Sequence, residues 1–252
     1  MALDEVLAAA GIHRSSEVPL PGSDDVAVVI RTTAGAAGPL WETLRAATDE
    51  TGRYPVVVGL TDAEEKGSQS ELEITLENAL EQVDEGDSVA EVLADARDFD
   101  FDAWVQERGG LDADTVELPL EDLGDPDAEL SIAEGLGIDD DAVIELALLP
   151  TTIPWEAPAH LLWGSWNEVP SASELTGILR HWHDGFGAEV MAMTADVVLI
   201  RVDRPPRDDE TAVELAREHY LVAPDVVDQG DVDIQGLATM LRRSPGWFLW
   251  WD

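Results

Sequence analysis

Between Thr151 and Pro170 the chain gathers Trp155, Glu156, His160, Trp163, Trp166, Asn167 and Glu168, punctuated by Pro154, Pro158 and Gly164. An aromatic wall with a few convergent polar groups is what a small-ligand pocket needs. Trp155, Trp163, Trp166, Asn167 and Glu168 are therefore the candidate ligand-binding residues. A carboxylate beside an imidazole can also do acid–base work, so Glu156 and His160, with Asp225 as a third group, form a candidate hydrolase-like set. A third reading has the tryptophans capping a sheet core while Asn167 and Glu168 satisfy loop backbone groups. Glu156 and His160 stand four apart, the spacing of a helical pair, but Pro154 and Pro158 argue against a regular helix here. Residues 160–163 are instead expected as a short strand.

Other pairings are less promising. His181 and His183 flank Trp182, yet residues two apart on a helix point roughly 200° apart and cannot chelate one ion. His219 falls on the face of Ala212, Leu215 and Ala216 and reads as a satisfied core histidine. The chain has no cysteine, which removes thiolate zinc sites and cysteine nucleophiles. It also has no G-x-S-x-G, P-loop, dinucleotide-binding fingerprint or H-E-x-x-H. No metal and no cofactor are expected, and a binding module is favoured over an enzyme.

The elements that must position these residues follow from periodicity and caps. Residues 26–30 and 55–60 are apolar runs flanking a helix expected to start near Pro39, with Trp41 and Leu44 inward. This is a strand–helix–strand unit over residues 1–60. Residues 61–142 read as an acidic, partly helical insertion or linker. Ser88 and Glu91 fit a capping box opening a helix with Val89, Val92, Leu93 and Ala96 inward, and Trp104 and Val105 continue it after a break near Asp98. Residues 112–141 show no steady period and are expected as loop with short helical turns.

From Val143 the pattern sharpens into a tryptophan-rich domain over residues 143–252. Residues 143–149 form a strand, and Ser171 with Glu174 caps a helix carrying Leu175, Ile178, Leu179 and Trp182. Residues 189–194 and 197–202 make a hairpin. Two more helices follow, one opened by the acids at 208–210 and one carrying Ile234, Leu237, Ala238 and Leu241. Seven of the nine tryptophans lie in residues 149–252. The closing run, apolar at every position between Gly246 and Asp252, is expected as a strand buried on both faces. The whole predicts an α+β fold, with a mixed, largely antiparallel sheet covered by helices.

Charge narrows the partners. Fourteen basic residues face 54 acidic ones, a formal net charge of −40, and Lys66 is the sole lysine. A nucleic-acid binder needs a basic patch to displace counterions from phosphates, so nucleic acid is not expected. The acids are spread along the chain, as in a surface adapted to molar salt. No apolar run approaches the ~20 residues of a membrane span, and no signal peptide is evident. The expectation is a soluble cytoplasmic protein whose partner is another protein or a small molecule.

A set of short motifs also carries a resemblance. They are L-L-P-T-T at 148–152, G-x-W-N-x-x-P at 164–170, R-x-W-H at 180–183 and G-A-E at 187–189. R-P-P at 204–206, A-R-E-x-Y at 216–220, P-D-x-V-x-Q-G at 224–230 and the closing Trp250-Trp251-Asp252 complete it. Over about residues 145–252 the chain resembles the bacterial domain of unknown function 4253. That resemblance implies a fold neighbourhood, but no activity and no site residues.

Overall fold

The computed structural model describes residues 3–21, 23–60, 71–82, 88–111, 116–121, 125, 128–166, 169–230 and 232–252. Its centre is the strand Val143–Leu149, buried along all but its first residue. A strand with apolar residues on consecutive positions can be buried on both faces only in the interior of a covered sheet, and that is where it lies. The strands are β1 Arg14–Pro19, β2 Val26–Thr33, β3 Tyr54–Leu60, β4 Val143–Leu149, β5 Ala188–Met193, β6 Val197–Val202 and β7 Gly246–Trp250. They form one seven-stranded sheet in the order β1-β2-β4-β3-β5-β6-β7. Every neighbouring pair is antiparallel except β3 and β5, which meet in parallel at Val57 and Ala192. The fold is α+β with a mixed, largely antiparallel sheet, as the periodicity predicts.

The one carboxylate in β4, Glu145, is fully buried. It lies opposite Arg31 of β2 in register, and both Nε and Nη2 of Arg31 donate to its Oε1 at 2.9 and 2.8 Å. A buried charge survives only when paired and hydrogen-bonded in this way.

Capping residues set the helix limits where the sequence indicates. Ser171 and Glu174 close a capping box on the helix Ala172–Phe186, which ends at Gly187 in the left-handed conformation (φ 67°). Ser88 and Glu91 do the same for Val89–Asp98, and Asp100 caps a separate helix, Phe101–Glu107. Burial of Leu175, Ile178, Leu179 and Trp182 fixes the inner face of Ala172–Phe186. Indole N–H groups in the core find carbonyls or carboxylates: Trp41 donates to Pro55 O (2.9 Å), Trp251 to Val222 O (3.0 Å) and Trp182 to Glu218 Oε2 (2.8 Å).

Four local expectations are corrected. The second helix runs from Ala34 to Ala46, so Pro39 lies inside it. Its start is held from outside, because Ala34 N and Gly35 N donate to the carbonyls of Ala142 and Asp140. Residues 160–163 are not a strand. Pro154–Glu156 is a 3-10 turn leading into the helix Ala157–Leu161, with a proline in the opening turn of each, where the missing N–H costs nothing. A helix at Glu71–Gln82 occupies part of the acidic stretch that showed no clear pattern. Finally, β7 is not buried on both faces. It pairs only with β6 at the sheet edge, with Trp247 and Leu249 in the core and Phe248 exposed.

Candidate functional site

The outward face of β7 is apolar because it walls a cleft. Phe248 and Trp250 form one side, and Met240 of the helix Ile234–Leu241 stands beside them. Opposite lie the end of β3 (Val58, Gly59, Leu60) and Ile74 with Thr75 of the helix Glu71–Gln82. Residues 134–138, which follow the short helix Ile132–Gly135, and the β5–β6 turn from Thr194 to Val197 complete the rim. Trp163 and Trp166 make the floor. The cleft encloses about 1080 Å³, enough for a drug-sized ligand.

Four large apolar side chains on this cleft are open to solvent: Leu60 (46% exposed), Ile74 (37%), Met240 (56%) and Phe248 (41%). Single exposed hydrophobics are ordinary, but several converging on one concavity mark a binding surface.

The floor is built by a strained turn. After the helix Ala157–Leu161, Leu162 (φ 47°) and Ser165 (φ 73°) adopt left-handed backbone, with Gly164 between them at φ 137°. A side chain at Gly164 would meet the Pro170 carbonyl at 2.3 Å, so only glycine fits. Ser165 N donates to Pro170 O (3.2 Å) and Val169 N to Trp166 O (2.9 Å), closing the loop back on itself. The Trp163 indole donates to Thr194 O at 2.7 Å and so ties this loop to the β5–β6 turn. Trp163 and Trp166 then meet edge to face, with centroids 4.6 Å apart and planes at 74°. Trp163 also packs against Trp251, with centroids 5.5 Å apart. Strained backbone that survives only because its surroundings hold it is common at ligand sites.

The candidates named from the sequence separate into groups. Trp163 and Trp166 share the cleft, whereas Trp155 is half-buried against the main core. Asn167 and Glu168 lie outside the described residues. Glu156 and His160 come together, both more than nine-tenths buried, with His160 Nε2 3.8 Å from Glu156 Oε2. Thr151 Oγ1 donates to the same oxygen at 2.5 Å. Burial pushes the Glu156 carboxyl up, but the His160 imidazole, the Thr151 hydroxyl and Arg97 outweigh it and hold it below the usual range. Neither Glu156 nor His160 lines the cleft. Asp225 opens the short helix Asp225–Asp228, where its carboxylate accepts from Gln229 Nε2 (2.9 Å) and Asp252 N (2.9 Å). No described bond joins it to the Glu156–His160 pair.

The remaining histidines are structural. His181 stacks on Phe101 (4.0 Å) and lies 3.7 Å from Glu218, while His183 Nδ1 bonds Ala188 O at 2.9 Å. His219 is buried against Trp182 (4.4 Å), with Nδ1 bonded to Leu215 O at 3.0 Å. Desolvation lowers its pKa to about 3. Among the described residues no group of three His, Asp or Glu is placed to hold a metal ion, and no helix is long and apolar enough to cross a membrane.

The floor loop, the β5–β6 turn, the helix Ile234–Leu241 and the terminal strand all fall in one contiguous stretch of sequence. Residues 145–252 match the family model DUF4253, a domain of unknown function. The DUF4253 match runs from Glu145 of β4 to the last residue. It therefore supplies the cleft's floor and its Trp250 wall, while Leu60, Ile74 and residues 134–138 come from upstream. No curated protein and no solved structure matches the chain.

Sequence reasoning misses Leu60, Ile74, Met240 and Phe248 as site residues. Met240 carried a signal: it is apolar yet falls off the face defined by Ile234, Leu237, Ala238 and Leu241. Phe248 carried one too, since strict alternation from Trp247 turns it outward.

Proposed function

We propose that this protein is a binding module that seats an apolar ligand in the cleft between β7, the end of β3 and the Trp163–Trp166 floor. The observation that carries this reading is the convergence of Leu60, Ile74, Met240 and Phe248, all exposed, on one concavity floored by tryptophan. Exposed apolar area of this kind costs solubility unless something occupies it. The burial of Glu156 and His160 away from the cleft supports binding over acid–base chemistry, because a general base must reach its substrate's proton. The acidic surface fits a cytoplasmic protein working at high salt, where carboxylates stay hydrated and their mutual repulsion is screened.

The test is a thermal-shift and tryptophan-fluorescence titration with a neutral bicyclic probe, naphthylmethanol, on wild type and on Met240→Glu. Met240 is exposed, so the variant should fold with unchanged melting temperature and lose the probe. Equal binding by the variant would place the ligand elsewhere, and no binding by wild type would remove the reading.

A further inference from the structure

The charges on the cleft's rim say what kind of apolar ligand it would take. Two side chains there are ionisable, Glu134 and Asp196, and both are acids; among the described lining residues there is no Lys, Arg or His. Both carboxylates are exposed, and neither takes part in an ion pair or side-chain hydrogen bond within the described structure. Asp196 is placed firmly all the same. Its carbonyl accepts from Trp251 N at 3.1 Å, and its turn is anchored by Thr194 N donating to Val197 O at 2.9 Å. Val197 lies opposite Trp250 in register. The Asp196 carboxylate therefore sits at the end of the aromatic wall and is not carried on a loose loop. At the opposite rim Glu134 lies in the helix Ile132–Gly135, whose first turn is held by Glu134 N donating to Ser131 Oγ at 3.1 Å.

Aromatic faces attract a cation through their quadrupole, indole most strongly. A carboxylate at the edge of such a wall adds an unscreened partner for the same charge, and repels an anion. Trp163, Trp166, Trp250 and Phe248 with Asp196 and Glu134 combine both effects in one concavity. We propose that the cleft selects organic cations: an ammonium group on an aromatic or aliphatic body, with the body on the tryptophan floor and the charge between Asp196 and Glu134. This rests on the reading of the cleft as the binding site.

The experiment uses three probes of one shape and different charge: naphthylmethyl-trimethylammonium, naphthylmethanol and naphthoate. Each is titrated calorimetrically into the full chain in about 1 M KCl, where the screening length of ~3 Å silences the distant carboxylates. The cation should bind about ten-fold tighter than the neutral probe, with the anion weakest. That ten-fold preference should vanish in the double variant Asp196→Asn, Glu134→Gln, while affinity for naphthylmethanol stays the same. Equal affinity for cation and neutral probe would overturn the charge selection and leave the cleft as a binding site. A preference that survives the double variant would also overturn it, by assigning the effect to the chain's overall charge. Failure of all three probes would remove the cleft reading itself.

Discussion

The indole N–H of Trp163 donates to the carbonyl of Thr194 at 2.7 Å, joining the strained loop after Ala157–Leu161 to the turn between β5 and β6. This bond fixes the distance between the floor of the cleft and its acidic rim. Trp163→Phe keeps an aromatic ring but leaves the Thr194 carbonyl without its partner. The expected cost is about 1–3 kcal/mol of stability, with loss of naphthylmethanol affinity beyond that of a simple volume change. Urea unfolding with a parallel probe titration checks both. Unchanged affinity would mean that the bond does not shape the site.

The Thr151–Glu156–His160 cluster predicts a pH-dependent stability. Glu156 is held below its ordinary range in the folded chain, so its contribution is present above its unfolded pKa and is lost as pH falls through the folded value. Glu156→Gln should therefore destabilise by about 1–3 kcal/mol at neutral pH. The gap from wild type should narrow below about pH 4.5, the ordinary value for a glutamate. Denaturant titrations at neutral and acid pH measure it, and a constant gap would show that the carboxylate's charge is not what matters.

His219 acts in the same pH direction for a different reason. It is buried neutral, with a pKa of about 3 against an ordinary 6.5. Between those values the unfolded chain binds one proton more than the folded chain, so stability falls as the pH is lowered. The slope is about 1.4 kcal/mol per pH unit. His219→Phe preserves a ring against Trp182 and removes this titration. Wild-type stability should fall relative to the variant by about that slope below pH 6. Parallel curves would place the imidazole in contact with water.

The elements that the sequence disclosed share one property: their caps and core faces are local. Ser171 with Glu174 and Ser88 with Glu91 announce their helices within four residues, and β4 announces its burial by its apolar run. What stayed hidden depends on distant partners. The helix Ala34–Ala46 begins before Pro39 because residues 140 and 142 supply the carbonyls for its first N–H groups. Pro154 and Pro158 look like helix breakers until each is seen in an opening turn. In the candidate site, Trp163 and Trp166 were legible as a pair of aromatics in a proline-rich loop. Their partners Leu60, Ile74 and Met240 were not, because only the tertiary fold brings β3, the helix Glu71–Gln82 and the helix Ile234–Leu241 to one place. Phe248 was masked by its neighbours, since an edge strand whose outer face lines a cleft has the same apolar run as a buried one.

The charge of −40 predicts salt dependence. Raising KCl from about 0.1 M to about 1 M shortens the screening length from ~10 to ~3 Å and relieves self-repulsion among exposed carboxylates. The melting temperature should rise strongly over that range. A flat response would contradict salt adaptation as the origin of the acidic surface.

The central claim is that the tryptophan-floored cleft binds a ligand, and the nine indole N–H groups are built-in reporters of where. A two-dimensional nitrogen–proton spectrum during titration with naphthylmethanol would follow each of them. The account predicts shifts at Trp163, Trp166 and Trp250, with Trp41 and Trp182, both fully buried elsewhere in the core, unmoved. Shifts absent from the first three, or as large at Trp41 and Trp182, would contradict it.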